Sequence, residues 1–242
     1  MIRLRGVTKE YPRSGAALSD VSLHIRKGEF AYLTGHSGAG KTTILQLIHF
    51  QTPPSRGDVR VSRFTSSTIR RRQIPELRRR VGYVFQDFRL LERLTASENV
   101  AFALEVTGTS RKQIEPKVQR LLSQVGLAAK SRSLPSELSG GERQRVVIAR
   151  ALATDPLVLL ADEATGNLDR RATDGIYRLF RNINRLGMAV VMATHDSELI
   201  KRSTDVRVLE LEQGRLVYDS DPGRTPAGEA QEEAVSVKGG TP

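Results

Sequence analysis

The chain contains no cysteine. Disulfides, thiolate metal sites and cysteine nucleophiles are therefore excluded, and a cytosolic setting is compatible. It also lacks any apolar run near the roughly 18 residues that a membrane-spanning helix needs. The opening MIRLRGVTKEY has no apolar core, so no secretory signal is expected. No internal repeat is visible, which argues against a solenoid. What remains is 242 residues of ordinary apolar content, enough for one large domain or two small ones.

Acidic residues are in deficit, 27 against 38 basic ones, for a net charge of +11. That balance permits binding to nucleic acid or to an anionic membrane surface. The excess is concentrated: residues 56–80 hold nine arginines against Asp58 and Glu76. The segment reads either as a solvated surface or as a face near anionic lipid headgroups.

Short alternating stretches, Ile2-Arg3-Leu4 and Val21 to Ile25, predict antiparallel strands with one wet face. Gly57 to Phe64 and Val81 to Phe85 predict further strands, and Ile69 to Arg80 is ambiguous. Residues 92–150 read as helices. Thr95 to Glu98 forms a capping box before Val100, Phe102 and Leu104. Ser110 to Gln113 forms another, with Gly126 as the stop. The apolar runs Leu157 to Ala161 and Ala189 to Ala193 suit buried parallel strands, joined by a helix from Asp174 to Leu186. From Asp219 the chain is rich in Pro, Gly, Ala and Glu without periodicity, which predicts a disordered tail over 219–242.

Between the run Phe30 to Leu33 and the helical pattern from Thr43 lies Gly35-His36-Ser37-Gly38-Ala39-Gly40-Lys41-Thr42. Strand, glycine-rich loop and helix make a cradle for a nucleotide triphosphate. The glycines let backbone N–H groups curl around phosphates, and the helix N-terminus adds partial positive charge. Lys41 is placed to reach the β- and γ-phosphates, and the Thr42 hydroxyl to ligate Mg²⁺. Asp162 ends a buried strand, where it suits the same Mg²⁺, and Glu163 one residue further out suits polarising a water.

A second anion site is written at Leu138-Ser139-Gly140-Gly141-Glu142, where a capping box opens a helix through Leu152 with a glycine-lined N-terminus. One nucleotide does not need two helix N-termini from one chain. The economical arrangement is a dimer in which this end closes on the partner copy's γ-phosphate.

Taken together, these residues resemble the ATP-binding cassette (ABC) ATPases over about residues 1–218. The resemblance implies an α/β P-loop NTPase fold, with a RecA-like parallel core, an N-terminal antiparallel subdomain and a helical subdomain at about 88–150. It makes Gly35 to Thr42 the Walker A loop, with Thr43 beside it. Gln86 becomes the Q-loop glutamine, near Mg²⁺ and the γ-phosphate. Leu138 to Glu142 becomes the signature motif and Leu157 to Asp162 the Walker B strand. Glu163 becomes the catalytic glutamate, Gly166 to Asp169 the D-loop, His195 the switch histidine and Tyr11 the adenine-stacking aromatic. ATP and Mg²⁺ are the implied cofactors. The chain departs from the family at Ala164, where proline is usual, and at His49-Phe50, where the first helix usually ends near Cys-Gly.

The phrases TGHSGAGKTT, VFQDFRLL, LLADEATGNLD and MATHD are similar to the branch of this family that serves bacterial cell division. Lipoprotein-release and macrolide-export ATPases are near relatives of that branch. The resemblance implies a head-to-tail homodimer acting on a separate integral membrane protein at the cytoplasmic face of the inner membrane. A nucleic-acid ATPase is the rival that the charge suits, but the coiled-coil insertions or paired cassettes of such relatives are absent. His24 and His49 read as packing or surface residues, and His36 as a contributor of backbone.

Overall fold

The computed structural model describes residues 1–13, 15–166, 168–203 and 205–221. The N-terminal alternation becomes two antiparallel strands, β1 (Ile2–Tyr11) and β2 (Gly15–Ile25), with Ile2, Leu4, Val21, Leu23 and Ile25 turned inward. The apolar run that follows is β3 (Phe30–Thr34), buried at every position. Then come α1 (Lys41–Ile48), β4 (Arg56–Val61) and β5 (Phe64–Thr65). The single strand expected from Gly57 to Phe64 is two, because the chain turns at Ser62, whose φ is 54°. The ambiguous stretch before Val81 holds a short helix, α2 (Ile74–Arg79), with Pro75 in its first turn. β6 (Val81–Val84) follows.

Three helices form the next layer: α3 (Ala96–Val106), α4 (Arg111–Gln124) and α5 (Gly140–Leu152). Thr95 caps α3 reciprocally with Glu98, at 3.3 and 2.7 Å. The box expected at α4 does not form. Ser110 donates its hydroxyl to the Gln113 side chain at 2.9 Å and leaves the backbone uncapped. Phe102, apolar like Val100 and Leu104, is 44% exposed. It stands two residues from each, about 200° around the helix, and so faces away.

The chain ends its described part with β7 (Val158–Asp162), α6 (Arg170–Arg185), β8 (Ala189–Ala193), α7 (Ser197–Arg202), β9 (Arg207–Glu212) and β10 (Arg215–Asp219). α6 starts before the expected Asp174, because the Asp169 carboxylate accepts the Ala172 N–H at 2.8 Å and caps the helix there. β10 runs through Asp219, whose carboxylate grips the buried Arg207 at 2.6 and 2.8 Å. The expected tail lies outside the described residues from 222 onward, as does Asn167 of the Gly166 to Asp169 stretch.

The strands make two sheets, a four-stranded one in the order β2-β1-β4-β5 and a six-stranded one in the order β10-β9-β3-β8-β7-β6. The second is parallel except for β10. Its central strands β3, β8 and β7 are buried at every position because both faces are covered. Phe30, Tyr32, Leu159, Ala161, Val190 and Met192 pack with the helices α3 to α6. Ala31, Leu33, Val158, Leu160, Val191 and Ala193 pack with α1 and the antiparallel sheet. Each such buried Val or Leu is worth about 1.5–3 kcal/mol, so the strands are held rigidly in register. Parallel strands end at one edge, and there β3 leads to the glycine loop, β7 to Asp162 and Glu163, and β8 to His195.

Candidate active site

The glycine loop takes a path that side chains would block. A Cβ on Gly35 (φ 131°) would lie 2.2 Å from the Leu211 carbonyl oxygen. One on Gly40 (φ 106°) would meet the Ala17 carbonyl oxygen at 2.8 Å. Gly40 is also the N-cap of α1, so no side chain competes for the first N–H groups of that helix. The result is a bare helix N-terminus at the mouth of the loop, the geometry that receives an anion.

Lys41 folds back across its own loop. Its ammonium is almost wholly buried and donates to the carbonyls of Gly35 at 2.7 Å and His36 at 2.9 Å. His36 thus contributes backbone, as its place in the loop suggests. Glu163 Oε1 is 3.9 Å from the same ammonium.

Asp162 is buried and holds two donors. Thr42 donates to Oδ1 at 3.1 Å, and Tyr83 donates to Oδ2 at 3.2 Å. Burial raises the carboxyl above its ordinary value, and the hydrogen bonds from Thr42 and then Tyr83 oppose that shift. Burial and the Asp162 charge push the Tyr83 phenol up, so it remains a donor. A lone carboxylate and a hydroxyl are hard oxygen ligands. Among the described residues no group of three or more His, Cys, Asp or Glu side chains is placed to hold a metal. That donor set fits Mg²⁺, which keeps waters and takes one or two protein oxygens beside phosphates.

Glu163 leaves the strand sharply. Its φ is 46°, a left-handed conformation that costs a side chain about 1–3 kcal/mol. The turn is held by its N–H, which donates to the Ala193 carbonyl at 3.0 Å. The strain aims the carboxylate at His195, whose Nδ1 is 3.3 Å from Oε1. Ala164, where the family usually has proline, is buried against the helical layer. Glu163 and His195 together border a cavity of about 700 Å³ with Gly35, His36 and Ser37. They also border a second one of about 470 Å³ with Gly166 and Leu168.

Other candidates stand apart. Gln86 is exposed just past β6 and borders neither cavity. Tyr11 donates its hydroxyl to Gln46 of α1 at 3.3 Å, and the Lys9 ammonium lies 5.0 Å from its ring centre. Ser139 caps α5 reciprocally with Glu142, at 3.3 and 2.8 Å, and Gly140 and Gly141 open the helix. None of the four borders either cavity. Gly141 abuts Ala172 so closely that a Cβ would lie 3.1 Å from the alanine methyl. A separate groove of about 450 Å³ lies between β6 and α3, with exposed Leu91, Phe102 and Val106 beside Arg78, Arg89 and Arg150.

Sequence reasoning passed over Tyr83. Its signal was present: a tyrosine inside a buried apolar strand needs a partner for its hydroxyl.

A family model described as ABC transporter matches residues 18–166. The cell division ATP-binding protein FtsE of Mycobacterium tuberculosis is 51% identical over 224 residues, covering 92% of this chain and 97% of that protein. The protein of the same name from Escherichia coli K12 is 47% identical over 216 residues, covering 89% and 97%. A dimeric ATP-binding cassette, solved in a post-hydrolysis state bound to ADP and Pi, superposes with a TM-score of 0.81 at 33% identity, covering 90% and 97%. The cbiO1 protein of Clostridium perfringens, part of the ABC transporter complex cbiONQ, gives 0.84 at 27% identity, covering 91% and 88%.

Proposed function

The chain belongs to the ABC transporter family, and from that premise we propose that it is the ATP-binding and ATP-hydrolysing subunit of a membrane complex serving bacterial cell division. One observation carries the ATPase reading. Lys41, the Thr42–Asp162 pair, Glu163 and His195 converge where β3, β7 and β8 end. The FtsE proteins, matched over nearly their whole length, carry the assignment to division.

In this reading the loop N–H groups and Lys41 hold the β- and γ-phosphates. Thr42 and Asp162, with Gln86, hold Mg²⁺, which supplies charge to the triphosphate. Glu163 accepts a proton from a water whose oxygen attacks the γ-phosphorus. The bond from that phosphorus to the bridging oxygen breaks, and ADP departs with the electron pair. His195 keeps the Glu163 carboxylate aimed and reaches the γ-phosphate. Tyr11 stacks on adenine.

Ser139 to Glu142 complete this site from a second copy, making a head-to-tail homodimer. The dimeric structural relative supports that arrangement. The partner is an integral membrane protein of FtsX type, placing the chain at the cytoplasmic face of the inner membrane. Its cytoplasmic segment docks in the groove beside α3. Leu91, Phe102 and Val106 offer it an apolar floor, and Arg78, Arg89 and Arg150 suit acidic flanks. The arginines of residues 56–80 then meet anionic headgroups.

The test is depletion in the native bacterium together with purification of the membrane complex. Division arrest, and Mg²⁺-dependent ATP turnover by the complex, are expected. Normal division with a lost export or lipoprotein-release activity would overturn the division reading in favour of a transporter. A complex without ATP turnover would overturn the enzyme.

A further inference from the structure

We propose that Tyr83 is a positioning residue for the metal site, its hydroxyl fixing the plane of the Asp162 carboxylate. The proposal rests on the Mg²⁺-ATP reading of that site.

The terminal torsion of an aspartate is broad, so a single hydrogen bond leaves its carboxylate free to turn. Asp162 has two bonds from two different elements. Thr42 of α1 takes Oδ1 at 3.1 Å, and Tyr83 of β6 takes Oδ2 at 3.2 Å. Register explains the second. Tyr83 pairs with Leu160 on the neighbouring strand β7, and Leu160 shares a face with Asp162 because strands repeat every two residues. A tyrosine is long enough to lie along that face and reach the strand's end.

The two donors differ in what surrounds them. Thr42 is exposed and belongs to the phosphate loop, on the side where a nucleotide and its cation enter. Tyr83 is 8% exposed. Its ring stacks on Phe85 at 4.3 Å and takes His49 edge-on at 5.3 Å. Thr42 is therefore the donor that exchanges when the site fills, and Tyr83 is the one that stays. A hydrogen bond from a buried ring packed between Phe85 and His49 sets the direction in which the carboxylate presents its remaining lone pairs.

Tyr83→Phe keeps the ring and its packing and deletes only the donor. The measurement is the affinity of the full chain for a slowly hydrolysed fluorescent ATP analogue, with and without saturating Mg²⁺. The ratio of the two affinities reports the metal site without any turnover. Tyr83→Phe should shrink that ratio about tenfold, the usual cost of losing a partner to a metal ligand. Metal-free affinity and melting temperature should stay at wild-type values. In an Asp162→Asn background the ratio is already small, and Tyr83→Phe should reduce it no further.

An unchanged ratio in Tyr83→Phe overturns the proposal, as does an equal reduction in the Asp162→Asn background. Tyr83→Leu guards against a packing explanation. If Tyr83 serves packing alone, Leu lowers the melting temperature while Phe leaves both readouts untouched. A wild-type chain that binds the analogue without any gain from Mg²⁺ overturns the metal-site reading itself, and the proposal with it.

Discussion

His195 Nδ1 stands 3.3 Å from Glu163 Oε1, joining the ends of two parallel strands, β8 and β7, at the mouth of the phosphate loop. The left-handed backbone of Glu163 turns the chain out of line with the strand just where this contact forms. The histidine side chain is 64% exposed, whereas that of the glutamate is 21% exposed. The contact therefore orders an open side chain against a sheltered one.

Glu163→Gln should bind ATP and hydrolyse it slower by about 10²–10⁴, the usual worth of a positioned base. Glutamine keeps the shape and the left-handed turn but cannot take the proton. The variant should accumulate as an ATP-bound dimer, seen as a shift in size-exclusion with ATP and Mg²⁺. Turnover within a few-fold of wild type would remove Glu163 from its role.

Lys41→Ala removes the ammonium that bonds the Gly35 and His36 carbonyls inside the loop. ATP affinity should fall about 10- to 150-fold, since a hydrogen bond to a charged group contributes about 1.5–3 kcal/mol. Fluorescent-nucleotide titration measures it. An affinity equal to wild type would end the phosphate-loop reading.

How far the chain is readable depends on whether a feature is local. Lys41, Asp162 and Glu163 announce themselves because the loop and the strand end act through neighbours in sequence. Tyr83 does not, because its partner lies 79 residues away and is set by strand register. The strain at Glu163 is equally silent, being imposed by the Ala193 carbonyl of another strand. The α6 boundary shifts because Asp169 competes for the cap, which periodicity alone does not weigh.

His49 should make stability depend on pH. Burial first, and then the Arg78 charge, lower its pKa from 6.5 to about 4. Tyr83 meets it edge-on and Gln51 lies 3.2 Å from Nδ1. Well above pH 6.5 the imidazole is neutral in folded and unfolded chains alike. As pH falls from there toward 4, the unfolded chain takes up a proton that the folded chain refuses, so stability is lost. At pH 5 the loss from this group is about 2 kcal/mol. His49→Gln should remove it, so urea midpoints of the two proteins should diverge between pH 7.5 and pH 5 in favour of the variant. Parallel profiles would show that His49 titrates normally in the fold.

The signature helix should act on the other copy's nucleotide. Ser139 caps α5 and borders neither cavity that the phosphate loop or Glu163 forms in its own chain. Consider a dimer of one chain disabled by Lys41→Ala and another disabled by Ser139→Ala. In a head-to-tail arrangement the two composite sites each take the loop of one chain and the signature of the other. Both defects then fall in one site, and the second site holds an intact loop and an intact signature. Mixing the two inactive proteins should restore ATP turnover, up to half the wild-type value in each mixed dimer if the sites fire independently. A geometric measurement decides the case where firing is coupled. A chain that carries Ser139→Cys together with a second new cysteine in its own phosphate loop, both added to a sequence that has none, should cross-link between copies in the presence of ATP in the Glu163→Gln background. Cross-links confined to single chains would refute the composite site, because they would place Ser139 beside the nucleotide held by its own Lys41.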